Sequence, residues 1–182
     1  MKLIKIFLAV GVALLAVGVS ASAMVVSVQN TNAGSGSTVV IPVKVGGATN
    51  LGAMDLVLTY DPAVITFTSA DLGEISTNGM VESNGGTPGT VKIGFVDTAG
   101  VNGDGTVVKV TFNVVGKNGA TSPMNVQVTG AWKTDAVDIQ TTTSGGTFTV
   151  GGAKSPLSPV TVVGALCGAC LLVFWRRSRK RP

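Results

Sequence analysis

Histidine is missing from all 182 residues, and the two cysteines, Cys167 and Cys170, share one apolar stretch near the C-terminus. Without histidine there is no Ser-His-Asp or Cys-His catalysis, and the usual zinc and copper ligand sets cannot be assembled. With no cysteine between the two ends, a disulfide framework is excluded for the central region. No long stretch reads with helical periodicity, so no phosphate-binding glycine loop has a helix to open. Aromatic residues make up only 5% of the chain. A flat polysaccharide platform needs exposed rings in a row, and few are on offer.

What is present begins with two targeting segments. Lys2 and Lys5, the apolar run from Ile6 to Val19 and the small residues Ala21-Ser22-Ala23 have the three parts of a secretory signal peptide spanning 1–23. At the other end a linker, 151–159, contains Pro156 and Pro159. It leads into an apolar run, 160–175, and then into 176–182 with Arg176, Arg177, Arg179, Lys180 and Arg181. That order is a stop-transfer signal with its basic end inside. At about 1.5 Å per residue the run covers roughly 24 Å, short of the ~30 Å hydrocarbon thickness. It resembles the C-terminal sorting tails of prokaryotic surface proteins. The expectation is a single-pass protein anchored at the cell surface, with its N-terminal domain outside and its tail open to processing.

The formal charge of +4 is a property of these ends. Between Met24 and Ala153 five lysines face all nine acids, which leaves the domain at −4. A nucleic-acid footprint would need basic residues clustered on the folded domain, and none is legible.

The region 24–150 is long enough for one domain with a real core. Its apolar runs are short and separated by Gly, Asn, Asp, Ser and Pro. They are "MVVSVQN", "STVVIPVKVG", "AMDLVLTY", "AVITFTS", "TVKIGFVD", "GTVVKVTFNVVG", "MNVQVTGAW", "AVDIQ" and "GGTFTV". Val- and Thr-rich runs with turns about every ten residues predict an all-β fold, a sandwich or jelly roll. In "GAMDLVLTYDPAVITF", Met54, Leu56, Leu58 and Tyr60 share one face, and Ala53, Asp55, Val57 and Thr59 share the other. Asp61-Pro62 ends that strand, because proline cannot donate to the ladder and aspartate closes a local turn. Tyr60 and Phe95 fall on core phases, which leaves Trp132 as the aromatic with a route to the surface.

"STVVIPVKV", "GAMDLVLTYDPAVITF", "VKIGFVDTAGVNGDGTVVKVTFNV" and "SGGTFTV" occur in an order that resembles the cohesin family, jelly-roll receptors for dockerin modules. The resemblance covers essentially all of 24–150 and implies a nine-stranded jelly-roll β-sandwich. It implies that Val91 to Val114 form a long central hairpin with Gly-Asp-Gly at its turn. It also implies that a dockerin-bearing protein docks on a flat sheet face containing "AMDLVLTY" and "VKIGFVD". Partner-binding residues implied by it are Asp55, Val57, Thr59, Val96, Asp97 and Gly100, with Asp55 and Asp97 accepting hydrogen bonds. The amide often found two residues before the strand's aspartate is Ala53 here, and a tyrosine contributed by the preceding strand has no match.

Dockerins carry their own calcium, so the resemblance implies no metal and no cofactor on this chain. "VNGDGT" lacks the further acids and terminal glutamate of an EF-hand loop and reads as a glycine-rich turn. Glu74, Glu82 and Asp97 are the available carboxylates for glycoside cleavage, but the small domain shows no cleft-forming insertion, so the reading is non-enzymatic. Two alternatives stay open. One is a carbohydrate-binding module of the same fold, binding polysaccharide through Trp132. The other is a structural or adhesive surface protein that uses the jelly roll as a spacer.

Overall fold

A computed structural model describes residues 23–76 and 78–151. The expected signal peptide, membrane span and basic tail lie outside the described residues. Within them, no helix is long and apolar enough to cross a membrane.

Nine strands make up the described fold: β1 (Met24–Val28), β2 (Thr31–Ala33), β3 (Thr38–Thr59), β4 (Ile65–Leu72), β5 (Gly79–Thr87), β6 (Thr90–Val114), β7 (Thr121–Lys133), β8 (Thr141–Ser144) and β9 (Gly146–Val150). The all-β jelly roll expected from the runs is what forms. Two of the runs expected as separate strands join in β3, and two more join in β6. These two strands pair with each other antiparallel over almost their whole length.

The paired ribbon folds over one pole of the sandwich. The first half of β3 pairs with the second half of β6, and the second half of β3 with the first half of β6. Register shifts interrupt the pairing from Val43 to Ala53. Here Gly47, Asn50, Gly100 and Gly103 have φ of 70°, 55°, 76° and 87°, which lets both strands turn sharply. The expected central hairpin is therefore corrected: the halves of β6 lie in different sheets, and "VNGDG" forms the arch between them. Asp104 Oδ1 accepts the Gly47 amide at 2.6 Å, and Asn102 Oδ1 accepts the Asn50 amide at 2.8 Å, tying the two arches together.

One sheet contains β5, the first half of β6, the second half of β3, and β7. The other contains β8, β1, the first half of β3, the second half of β6, and β4. Alternation sends Val39, Ile41, Val43, Met54, Leu56 and Leu58 of β3 inward. They meet Ile93, Phe95, Val108, Val110 and Phe112 of β6, all buried. Burial of that apolar area is the main stabilising term of such a sandwich.

Asp61-Pro62 acts as the sequence suggests. Asp61 Oδ1 accepts the Ala63 amide at 2.9 Å, its carbonyl accepts the amides of Val64 and Ile65, and its own amide donates to Ser122 Oγ at 2.8 Å. The chain thereby crosses from β3 in one sheet to β4 in the other. This pole, opposite the arch, also holds the end of β9. Val150 exchanges backbone hydrogen bonds with Gly119 and Ala120, and the Gly151 amide donates to the Ala33 carbonyl. The short β9 lies between β2, parallel to it, and β7, antiparallel to it.

Candidate functional site: an outward sheet face

The outer surface of the β5-β6-β3-β7 sheet follows from its register. In the rank nearest the arch stand Met80, Val96, Ala53 and Trp132. The next rank is Glu82, Gly94, Asp55 and Gly130, and the one after it Asn84, Lys92, Val57 and Gln127. Thr90, Thr59 and Asn125 close the face at the far pole. Apolar, acidic and basic ranks thus succeed one another along the strands.

The first rank is apolar and open. Met80 is 65% exposed and Val96 50%, and both stand on neighbouring strands. Trp132 is partly exposed, and its ring lies against Gly130, where any Cβ would collide with the indole. No second aromatic joins it on this face among the described residues: Tyr60, Phe95, Phe112 and Phe148 are buried, and Phe67 packs beneath Gly85.

Of the residues singled out in the sequence, Asp55, Val57, Thr59 and Val96 come together on this face, as the period of two requires. Asp97 does not, and its expected role is corrected. It follows Val96 on the strand, so it points inward, and it is only 4% exposed. Its Oδ2 accepts the Ser76 hydroxyl at 2.6 Å and its Oδ1 accepts the Ala99 amide at 2.9 Å. A buried carboxylate satisfied in this way fixes the loop before β5 to the arch. Gly100 lies in the arch instead of on the face: its φ is 76°, and a Cβ there would strike the Asn50 side chain.

The second acid of the face is Glu82, on a strand the sequence reading missed. β5, "GMVESNGGT", is polar and glycine-rich with a mostly exposed burial pattern, so neither apolar alternation nor strand-favouring residues announce it. Its outward Glu82 is exposed opposite Gly94.

Charge pairing is used elsewhere. Among the described residues the one ion pair is Lys109 with Glu74, at 3.4 Å. The Glu74 carboxyl is held below its usual range by a backbone hydrogen bond within the residue, then by the Thr106 hydroxyl and by Lys109. Among the described residues, Asp55, Glu82 and Lys92 have no ionic partner on the open face. No group of metal-ligating side chains forms among the described residues.

Known structures share this architecture. A non-cellulosomal cohesin from the archaeon Archaeoglobus fulgidus superposes with a TM-score of 0.65 at 23% identity, covering 73% of this chain and 94% of that one. The sixth cohesin of Acetivibrio cellulolyticus scaffoldin B, solved with a Cel5 dockerin mutant, gives 0.63 at 22%, covering 71% and 100%. The cohesin of the Clostridium thermocellum Coh-OlpA–Doc918 complex gives 0.62 at 13%, covering 71% and 99%. At these identities the likeness is one of fold. The match spans nearly the whole length of each of these neighbours. Among curated proteins none matches. The family model for the cohesin domain matches residues 24–150, the whole of the sandwich from the first residue of β1 to the last of β9, and the chain belongs to the cohesin domain family.

Proposed function

We infer that this chain is a non-catalytic docking module that holds a dockerin-type partner on the outer face of the β5-β6-β3-β7 sheet. The observation that carries the reading is the face itself. An exposed apolar rank stands directly beside acids with no ionic partner, on a rigid sheet of a cohesin domain. Apolar burial at Val57, Val96 and Met80 supplies the attraction, and hydrogen bonds to Asp55 and Glu82 fix the orientation. Calcium belongs to the partner in this reading. Two of the similar structures, from Acetivibrio cellulolyticus and Clostridium thermocellum, are cohesins in complex with dockerins.

The test is capture by immobilised residues 24–151 from extracellular extract, with calcium or with a chelator, beside Asp55→Ala. Retention of a protein with a dockerin sequence in calcium, weakened roughly tenfold by the variant, is the expected outcome. Capture of polysaccharide abolished by Trp132→Ala would favour the glycan reading, which rests on the one partly exposed indole. No capture of either kind would leave the sandwich as a spacer.

In the same reading the module works outside the cell, held by residues 160–175, and gathers partners that degrade polysaccharide. Fractionation checks the anchor: the full chain should sediment with membranes, and a chain ending at residue 159 should appear in the medium. Equal distribution of the two forms would remove the anchoring part.

A further inference from the structure

The charges on the docking face have an order that specifies the chemistry of the docked element. Glu82, Gly94 and Asp55 stand side by side on three adjacent strands. Strands about 4.8 Å apart put the two acid-bearing Cα atoms roughly 10 Å apart, with only a hydrogen between them at Gly94. Asp55 Oδ1 lies 3.3 Å from the place a Gly94 Cβ would take, so its carboxylate leans over this gap. Asp55, Glu82, Gly94, Lys92 and Thr129 line an open depression of about 710 Å³. A guanidinium or ammonium group fits between the carboxylates, with two acceptors on opposite sides of it.

The spacing along the strands matches a helix. Successive outward ranks are two residues apart, about 6.7 Å, and one i to i+4 step of a helix rises 6.0 Å. A helix lying along β3 and β6 that faces Gly94 with one side chain therefore faces Val96 and Met80 with the side chain one turn away. A second copy of this chain is a poor occupant, because its domain carries the same net charge of −4, five lysines against nine acids.

Resting on the docking reading above, the geometry points to a partner helix that lowers one arginine or lysine onto Gly94 between Asp55 and Glu82. An aliphatic side chain one turn away covers Met80 and Val96. Asp55 and Glu82 together then select the partner by charge, and the apolar rank adds affinity without discrimination.

A display library tests this. It is built on the dockerin of the Clostridium thermocellum complex, randomised at exposed helix positions and selected in calcium against residues 24–151. Three baits are used: the native face, Asp55→Asn with Glu82→Gln, and Asp55→Lys with Glu82→Lys. Circular dichroism confirms that all three baits fold. The native bait should enrich Lys or Arg at one helix position, and those binders should lose about tenfold or more in affinity on the neutral bait. The reversed bait should enrich Asp or Glu at the same position. Binders to the native bait with no basic preference, or with equal affinity for the neutral one, would overturn the inference and leave docking intact. If no bait yields a binder, docking on this face is itself refuted, and the inference falls with it.

Discussion

Gly94→Leu is expected to abolish docking while leaving the domain as stable as before. Gly94 sits in the middle of the outward face, between Asp55 of β3 and Glu82 of β5. A Cβ there meets nothing nearer than Asp55 Oδ1 at 3.3 Å, the end of an exposed side chain that can swing aside. Gly94 is not among the residues with positive φ, so leucine adopts its backbone conformation without strain. Glycine in a strand interior is the less favourable residue there, so the fold has nothing to lose from the exchange. The proposed docking surface loses the gap at Gly94, and a partner must stand off by the depth of a leucine. Contacts at Val96, Met80 and Val57 are then lost together. A loss of about 3 kcal/mol, or ~100-fold in Kd, is the expected minimum. Calorimetric titration against a captured partner, together with a melting curve, reads both halves. A variant that docks normally would show that this rank lies outside the contact area. The outcome is separable from general damage, since the melting temperature reports on the fold alone.

Phe112→Ala should cost the fold about 3–5 kcal/mol, the usual range for removing a fully buried aromatic side chain. Phe112 is 0% exposed. Its ring meets Tyr60 edge-on, with centroids 5.0 Å apart and planes at 71°, and Phe67 at 6.1 Å and 76°. Tyr60 follows β3 at the end of its half in the β5-β6-β3-β7 sheet, whereas Phe112 and Phe67 pair across β6 and β4 in the other sheet. The ring thus joins the two sheets near the pole where the chain crosses between them. Neighbours on two separate sheets relax poorly into a void, which places the expected cost toward the upper end of the range. Denaturant unfolding of residues 24–151 measures it. A loss below about 2 kcal/mol would mean that the pole collapses around the gap. Phe67→Ala is the natural comparison, because that ring is half-buried and should cost less.

The proposed docking face was half legible in the amino-acid sequence. Strict alternation in "AMDLVLTY" places Asp55, Val57 and Thr59 outward because one phase is uniformly apolar and the other is not. The same logic applied to "VKIGFVD" assigns Val96 and Asp97 to opposite faces, and in the structure Val96 is exposed while Asp97 is buried. The resemblance favoured both, and the period of two decided between them. β5 was illegible for a different reason: an edge strand with one side of its ladder free and its side chains mostly in water needs no apolar pattern. Glu82 was therefore visible as a carboxylate but not as part of a site. Glycines misled in the arch. "GGATN" and "VNGDG" read as breaks between strands, yet the strands continue through them because positive φ allows the ribbon to bend without ending its pairing. β8, "TTTS", pairs in parallel with β1 from far along the chain, a non-local pairing that no local pattern encodes.

The placement of β9 has a mechanical consequence. The described fold ends at Gly151, at the pole opposite the arch, and the apolar rank of the outward face lies at the arch end of β7. Those thirteen residues of β7 span roughly 40 Å. With the chain held beyond Gly151 and a cargo bound near Met80 and Val96, tension runs along the strand axes. β9 is then drawn lengthwise past β2 on one side and β7 on the other. Its hydrogen bonds on both flanks are loaded in shear, all at once, so none can be peeled open ahead of the others. Pulled from this end, the sandwich resists with its strongest geometry.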